Sequence, residues 1–195
     1  MPEKNDNPRA RRKPRKITPD SLGRIALHYL ERYATSSENL RRVLIRRVRR
    51  SAEAHDTDPD EQIPHVDALI IRYQQAGLLD DQAYARMRAE SLHRRGTSGR
   101  MIRMKLAAKG VPSDAIDDAL ESLSELVANT DLSGACNYAR RRRIGPWRLR
   151  DRTDYRDRDL AALARQGFSY NIARKVIEAE DTEMLEAEAA EEKEF

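Results

Sequence analysis

Three groups of cationic side chains have the residue type and spacing for chemistry. Arg41, Arg42, Arg46, Arg47, Arg49 and Arg50 crowd a ten-residue stretch that holds no acid. Arg94 and Arg95, with Arg100, Arg103 and Lys105, form a second group. Arg140, Arg141, Arg142 and Arg143, followed by Arg148, Arg150 and Arg152, form a third. Arginine dominates, and its planar fork of donors suits two-pronged contacts with phosphates or carboxylates better than a lysine point charge does. Aromatic residues are sparse nearby, with only Tyr138, Trp147 and Tyr155 beside the third group. Contact with a charged backbone or an acidic protein surface is therefore expected ahead of base stacking. The plainer alternative is that each run is only the solvated side of a helix.

Catalysis finds little support. No GxxxxGK[ST] phosphate loop and no GxSxG elbow occurs. His28, His55, His65 and His93 fall in separate segments. His55 and His65, near Asp56, Asp58 and Asp60, lack the tight Cys/His spacing of zinc sites and are expected in a solvated loop. Asp80-Asp81 could be a pair of catalytic carboxylates. They stand after Gly77-Leu78-Leu79, however, where a carboxylate caps the next helix and meets its dipole. Cys136 is expected to be a small buried packing residue. No metal, cofactor or small-molecule substrate is implied.

Charge is distributed unevenly. The net charge is +4, of which residues 1–16 contribute +5, residues 178–195 contribute −8 and the span between them +7. A basic body beside an acidic end points to a polyanionic partner. A single cysteine excludes an internal disulfide, no apolar run approaches the ~20 residues of a membrane span, and the N-terminus has no apolar signal region. A cytoplasmic, monomeric protein is expected.

The elements that must carry these groups are helices. Thr18-Pro19-Asp20-Ser21 is a helix start, with a capping residue ahead of Pro. A second helix begins at Ser36 or Ser37 and carries the stripe Leu40, Leu44 and Val48, with the arginines outside it. Polar residues 51–62 are predicted to form a loop, and Ile63-Pro64 opens a third helix. Comparable triplets follow. Tyr84-Ala85 is echoed by Tyr138-Ala139, Leu106 and Gly110-Val111 by Leu163 and Gly167-Phe168, and Leu40, Leu44 and Val48 by Ile102, Leu106 and Gly110. The pattern predicts an all-α protein of three tandem three-helix repeats, at 17–77, 78–130 and 131–178, stacked into a short curved array. A disordered basic arm at 1–16 and an acidic tail at 179–195 flank them.

Gly77-Leu78-Leu79-Asp80-Asp81, Tyr84-Ala85, Arg94-Arg95-Gly96, Ile102, Leu106 and Lys109-Gly110-Val111 together resemble the central signature of the RecX family. Ser37, Leu40-Arg41 and Leu44 resemble its first repeat, although Val48 stands where Gly110 stands in the second. The resemblance spans about 18–178. It implies tandem three-helix repeats and a regulator of the RecA recombinase, active in DNA repair, recombination and the SOS response. Such a protein binds in the groove of the RecA filament on single-stranded DNA and restrains strand exchange, ATPase and coprotease activity. On that reading Arg41, Arg42, Arg46, Arg47, Arg94, Arg95 and Arg140 to Arg143 contact the filament, and any direct affinity for single-stranded DNA is weak and sequence-tolerant. The rival reading is a helical DNA-binding transcriptional regulator, since three-helix units also build helix-turn-helix readers.

Overall fold

Helix-period stripes become helices throughout. The computed structural model describes residues 13–127 and 129–190. Among them are ten α-helices, two short 3-10 turns and no strand. The helices are α1 (Pro19–Leu30), α2 (Ser37–His55), α3 (Ile63–Gln75), α4 (Asp81–Arg94), α5 (Gly99–Ala108), α6 (Ser113–Leu126), α7 (Thr130–Arg142), α8 (Arg156–Arg165), α9 (Tyr170–Glu178) and α10 (Thr182–Ala190). Local chemistry fixes several starts. Thr18 and Ser21 cap each other reciprocally. The carboxylate of Asp80 accepts the Ala83 N–H at 2.9 Å, and Ser98 and Ser169 take the Met101 and Ile172 amides.

The chain divides into two compact units, one built on α1–α3 and the other on α4–α10 together with residues 35–38. In the first unit Leu22 and Ala26 of α1, Leu40, Leu44 and Val48 of α2, and Val66 and Tyr73 of α3 are buried. The Tyr73 hydroxyl donates to the Gly23 carbonyl. In the second unit α4 packs along α6, and fully buried Ala85 and Ala89 let the helices approach closely. A second cluster joins Leu132, Ala135 and Ala139 of α7 with Leu163 of α8, Val176 of α9 and Leu185 of α10.

Three expectations need correction. The loop expected at 51–62 is shorter, because α2 continues to His55. With Val48 in place of a helix-ending glycine, nothing stops the helix until Asp56, which adopts a left-handed φ of 52°. Asp58 then caps a 3-10 turn at Pro59–Glu61. The disordered arm expected at 1–16 does not extend that far. Residues 1–12 lie outside the described residues, but 13–17 dock on α2: the Ser51 hydroxyl accepts the Ile17 N–H at 3.0 Å and donates to the Arg15 carbonyl. His55 bonds the Pro14 carbonyl at 2.7 Å, which gives its ring a structural partner. The acidic tail expected at 179–195 contains α10, a separate helix whose Leu185 and Ala189 enter the α7 core; residues 191–195 lie outside the described residues.

Stitches within the second unit repeat at the spacings read from the sequence. The Ser37 N–H donates to Asp81 at 2.8 Å and the Gly99 N–H to Asp131 at 3.0 Å. Ser36 donates from its hydroxyl to the Lys109 carbonyl, and Ser98 from its amide to the Gln166 carbonyl. Ser36 and Ser98, like Ser37 and Gly99, stand at the same separation as Leu40 and Ile102. Asp80 and Asp81 are thus a helix cap and a tie to a neighbouring helix start, not a paired acid and base.

Candidate functional site

On α2 the core stripe is buried, while Arg42, Arg46, Arg47, Arg49 and Arg50 are exposed. Arg41 differs. Its Nε and Nη2 take both oxygens of Asp67 on α3, at 2.6 and 3.3 Å, so it ties two helices together. Arg46 and Arg47 make no ion pair among the described residues.

In the second unit Arg94 closes α4 beside Glu90, 3.5 Å away, and Arg95 is exposed at the cap. The turn that follows meets α7, where Tyr138 packs on Gly96. The structure therefore brings Arg94 and Arg95 beside the helix that carries Arg140, Arg141 and Arg142. These last are not equivalent. Arg140 is bound at 3.2 Å by Glu186 of α10, and Lys175 of α9 pairs with Glu188. The acidic end of the chain thus neutralises part of the basic surface. Arg142 lies over the Tyr138 ring at 5.9 Å. Arg143 ends α7 in the left-handed conformation, φ 53°, where glycine is the usual residue.

Sequence reading did not anticipate the cleft beyond Arg142. It is an open cavity of about 900 Å³ walled by α7, α8 and the loop between them. Along α8, Arg158, Ala162 and Arg165 share one face, at helical spacings of four and three residues. That spacing was visible in the sequence. The floor was not, because it depends on a long-range pair. Asp159, 3% exposed, binds Arg148, 22% exposed, through both oxygens at 2.8 and 3.2 Å. It also accepts the Gly145 N–H at 3.1 Å. Held this way, the Arg148 guanidinium lies 4.3 Å from the Tyr155 ring centre, with Arg158 at 5.7 Å, within the range of a cation–π contact. The hydrogen bond to Asp159 raises the Arg148 pKa further, so this cation is permanent. Arg152 is used elsewhere, donating to the Ile177 and Ala179 carbonyls at the end of α9.

The arrangement gathers guanidinium groups of the kind that take phosphate or carboxylate oxygens, and its lining contains no nucleophile–base pair. Among the described residues no group of three or more His, Cys, Asp or Glu could hold a metal ion, and no helix is long and apolar enough to cross a membrane. Cys136 is buried, and its thiol is pushed up to about 11, first by burial and then by Glu186. Because the folded pKa is raised, the thiol stays protonated well above neutrality. Thiol labelling at pH 8 is expected to be slow in the native protein and fast in denaturant; equal rates would place Cys136 at the surface.

Comparison with known proteins gives the chain a family. The family model described as the second three-helix domain of RecX matches residues 80–120. The regulatory protein RecX of Myxococcus xanthus (strain DK1622) is 44% identical over 173 residues, covering 88% of this chain and 91% of that protein. The chain belongs to the RecX family. RecX of Agrobacterium fabrum is 32% identical, over 80% of this chain and 84% of its own. The crystal structure of RecX from Lactobacillus salivarius has the same fold, with a TM-score of 0.55 at 17% identity over 87% of this chain and 97% of that one. RecX proteins are regulatory proteins and not enzymes.

Proposed function

We propose that this chain regulates the RecA recombinase by binding its filament on single-stranded DNA and restraining recombination, ATPase and coprotease activity. Membership of the RecX family supports the partner. The observation that carries the reading is the exposed arginine face of α2, where Arg46 and Arg47 stand without ion-pair partners among the described residues, behind a fully buried Leu40–Leu44 stripe. Arg42 shares this face. Arg94, Arg95, Arg141, Arg142 and Arg143 offer further contacts from the second unit. Arg41 and Arg140, each engaged by a carboxylate of the chain itself, contribute mainly to the fold. Several helical modules acting in series let weak contacts add through a high effective concentration. The direct contribution of DNA is weak and sequence-tolerant.

The test measures DNA-dependent ATP hydrolysis by RecA against increasing protein. The wild-type chain is expected to lower the rate. Arg46→Glu/Arg47→Glu is expected to need at least about tenfold more protein for the same inhibition, since a charged contact contributes roughly 1.5–3 kcal/mol. Its melting curve should be unchanged, because exposed substitutions usually stay within ~0.5 kcal/mol. Full inhibition by the double variant would reduce this face to solvated surface. Strong discrimination between duplex sequences would favour a transcriptional regulator instead.

A further inference from the structure

We propose that the cleft between α7 and α8 is a separate binding site for the phosphodiester backbone of single-stranded nucleic acid. The proposal deepens the function above, since it rests on the reading that this protein acts on a nucleic-acid filament. It assigns direct strand contact to a place that the α2 arginine face does not include.

Charge is the first observation. Arg142, Arg150, Arg158 and Arg165 all line the cleft, and none makes an ion pair among the described residues. Of the two carboxylates in its wall, Asp159 is consumed by Arg148 and the Gly145 amide, which leaves only Asp151 exposed to solvent. The cavity therefore carries an excess of unpaired guanidinium groups, which take phosphate oxygens two at a time. Position is the second. Arg158 and Arg165 lie two turns apart on one face of α8, about 10 Å along its axis, with the small Ala162 between them. Two cations so spaced on a rigid element hold two different phosphates of one strand, with room over Ala162 for the chain linking them. The third observation is the wall. Leu149 is 98% exposed at the rim, and the half-buried Tyr155 lies beneath Arg148 and Arg158. An exposed apolar rim beside unpaired arginines matches the sugars of a strand as well as its phosphates. An acidic peptide would use the arginines and leave these surfaces idle.

An open cavity of this size, near the top of the roughly 300–1,000 Å³ range of ligand sites, takes a short stretch of strand. No donor set for a particular base is present, so recognition is sequence-tolerant and electrostatic.

The test uses the full-length protein and a fluorescein-labelled oligothymidylate of roughly a dozen nucleotides, without RecA, followed by fluorescence anisotropy across a salt series. Arg158→Gln/Arg165→Gln is expected to keep the wild-type melting curve and to lose at least about tenfold in affinity per guanidinium removed. Its log–log salt slope should also be shallower by about 1.4, two phosphates at ~0.7 each. Unchanged oligonucleotide affinity and slope would overturn the proposal. So would a double variant that keeps the oligonucleotide and loses affinity only for a hexaglutamate peptide, since that outcome makes the cleft a site for acidic protein segments. RecA ATPase, measured in parallel on the wild type, separates the two readings. Binding of the oligonucleotide in the cleft by a protein that leaves RecA unaffected would sustain the cleft and defeat the proposed function.

Discussion

Asp159→Ala is expected to destabilise the α7–α10 region by about 3 kcal/mol, the low end for removing one partner from a buried ion pair, because Arg148 stays 22% exposed in the cleft wall. The carboxylate satisfies three donors: the Nε and Nη2 groups of Arg148 and the Gly145 amide. Alanine leaves a half-buried arginine charge without its partner and the Gly145 amide unbonded, and both losses act together. Truncating both partners, as Asp159→Ala/Arg148→Ala, should cost less than Asp159→Ala alone, because no charge is then stranded. Trp147, the single tryptophan, packs against the same core, so its fluorescence in urea reports unfolding here rather than in the first unit. A double variant at least as unstable as Asp159→Ala would show that the pair's value lies in packing and not in charge compensation. The variant has a functional side as well. Loss of Asp159 removes a carboxylate from the cleft wall and frees the Arg148 guanidinium from its pair, so oligonucleotide binding should persist or strengthen wherever the fold is kept.

What could be read from the sequence follows from the range of the interactions. Helix positions were legible because Leu40, Leu44 and Val48, or Ile102 and Leu106, repeat at the period that buries one face. Asp80 and the serine caps act within three residues and were legible for the same reason. The end of α2 was misread because its last turns are polar. Only Ala52 and Ser51 are buried there, and Ser51 serves a chain segment far away in sequence. In the acidic tail Met184, Leu185 and the alanines stand at helical spacing, but that α10 is a separate helix packed on α7 and α9 depends on Leu185, Ala189 and the Arg140–Glu186 and Lys175–Glu188 pairs. The arginine groups were found as groups, but not their separate fates. Arg41, Arg140 and Arg148 are engaged by Asp67, Glu186 and Asp159, and charge composition cannot reveal a partner that the fold brings from elsewhere. The cleft required Arg158 and Arg165, whose spacing was plain, and a floor that exists only once Asp159 has been buried.

Gly96→Ala is the second large loss expected, about 3 kcal/mol or more, and it bears on how the arginine groups are held together. Gly96 has φ +77°, where a side chain alone costs roughly 1–2 kcal/mol. A Cβ there would also lie 2.4 Å from Tyr138 Cβ and 2.6 Å from both the Tyr138 Cα and its backbone nitrogen. These atoms belong to the middle of α7 and cannot swing aside as the end of a flexible side chain would. Either the α4–α5 turn lifts from α7 or α7 shifts, and in both cases the Gly99–Asp131 and Ser98–Gln166 hydrogen bonds stretch. Gly77 is the control. Its φ is +70° and nothing lies within 4 Å of an added Cβ, so Gly77→Ala should show the conformational cost alone. Gly77 lies in the first unit and Gly96 in the second, so each loss is read against the unfolding of its own unit, and the excess at Gly96 measures the close approach. Equal losses would mean that the second unit absorbs the collision without strain. The expected excess at Gly96 would identify this contact as the one that holds Arg94 and Arg95 against the α7 arginines, so that the basic groups of the second unit act as one surface.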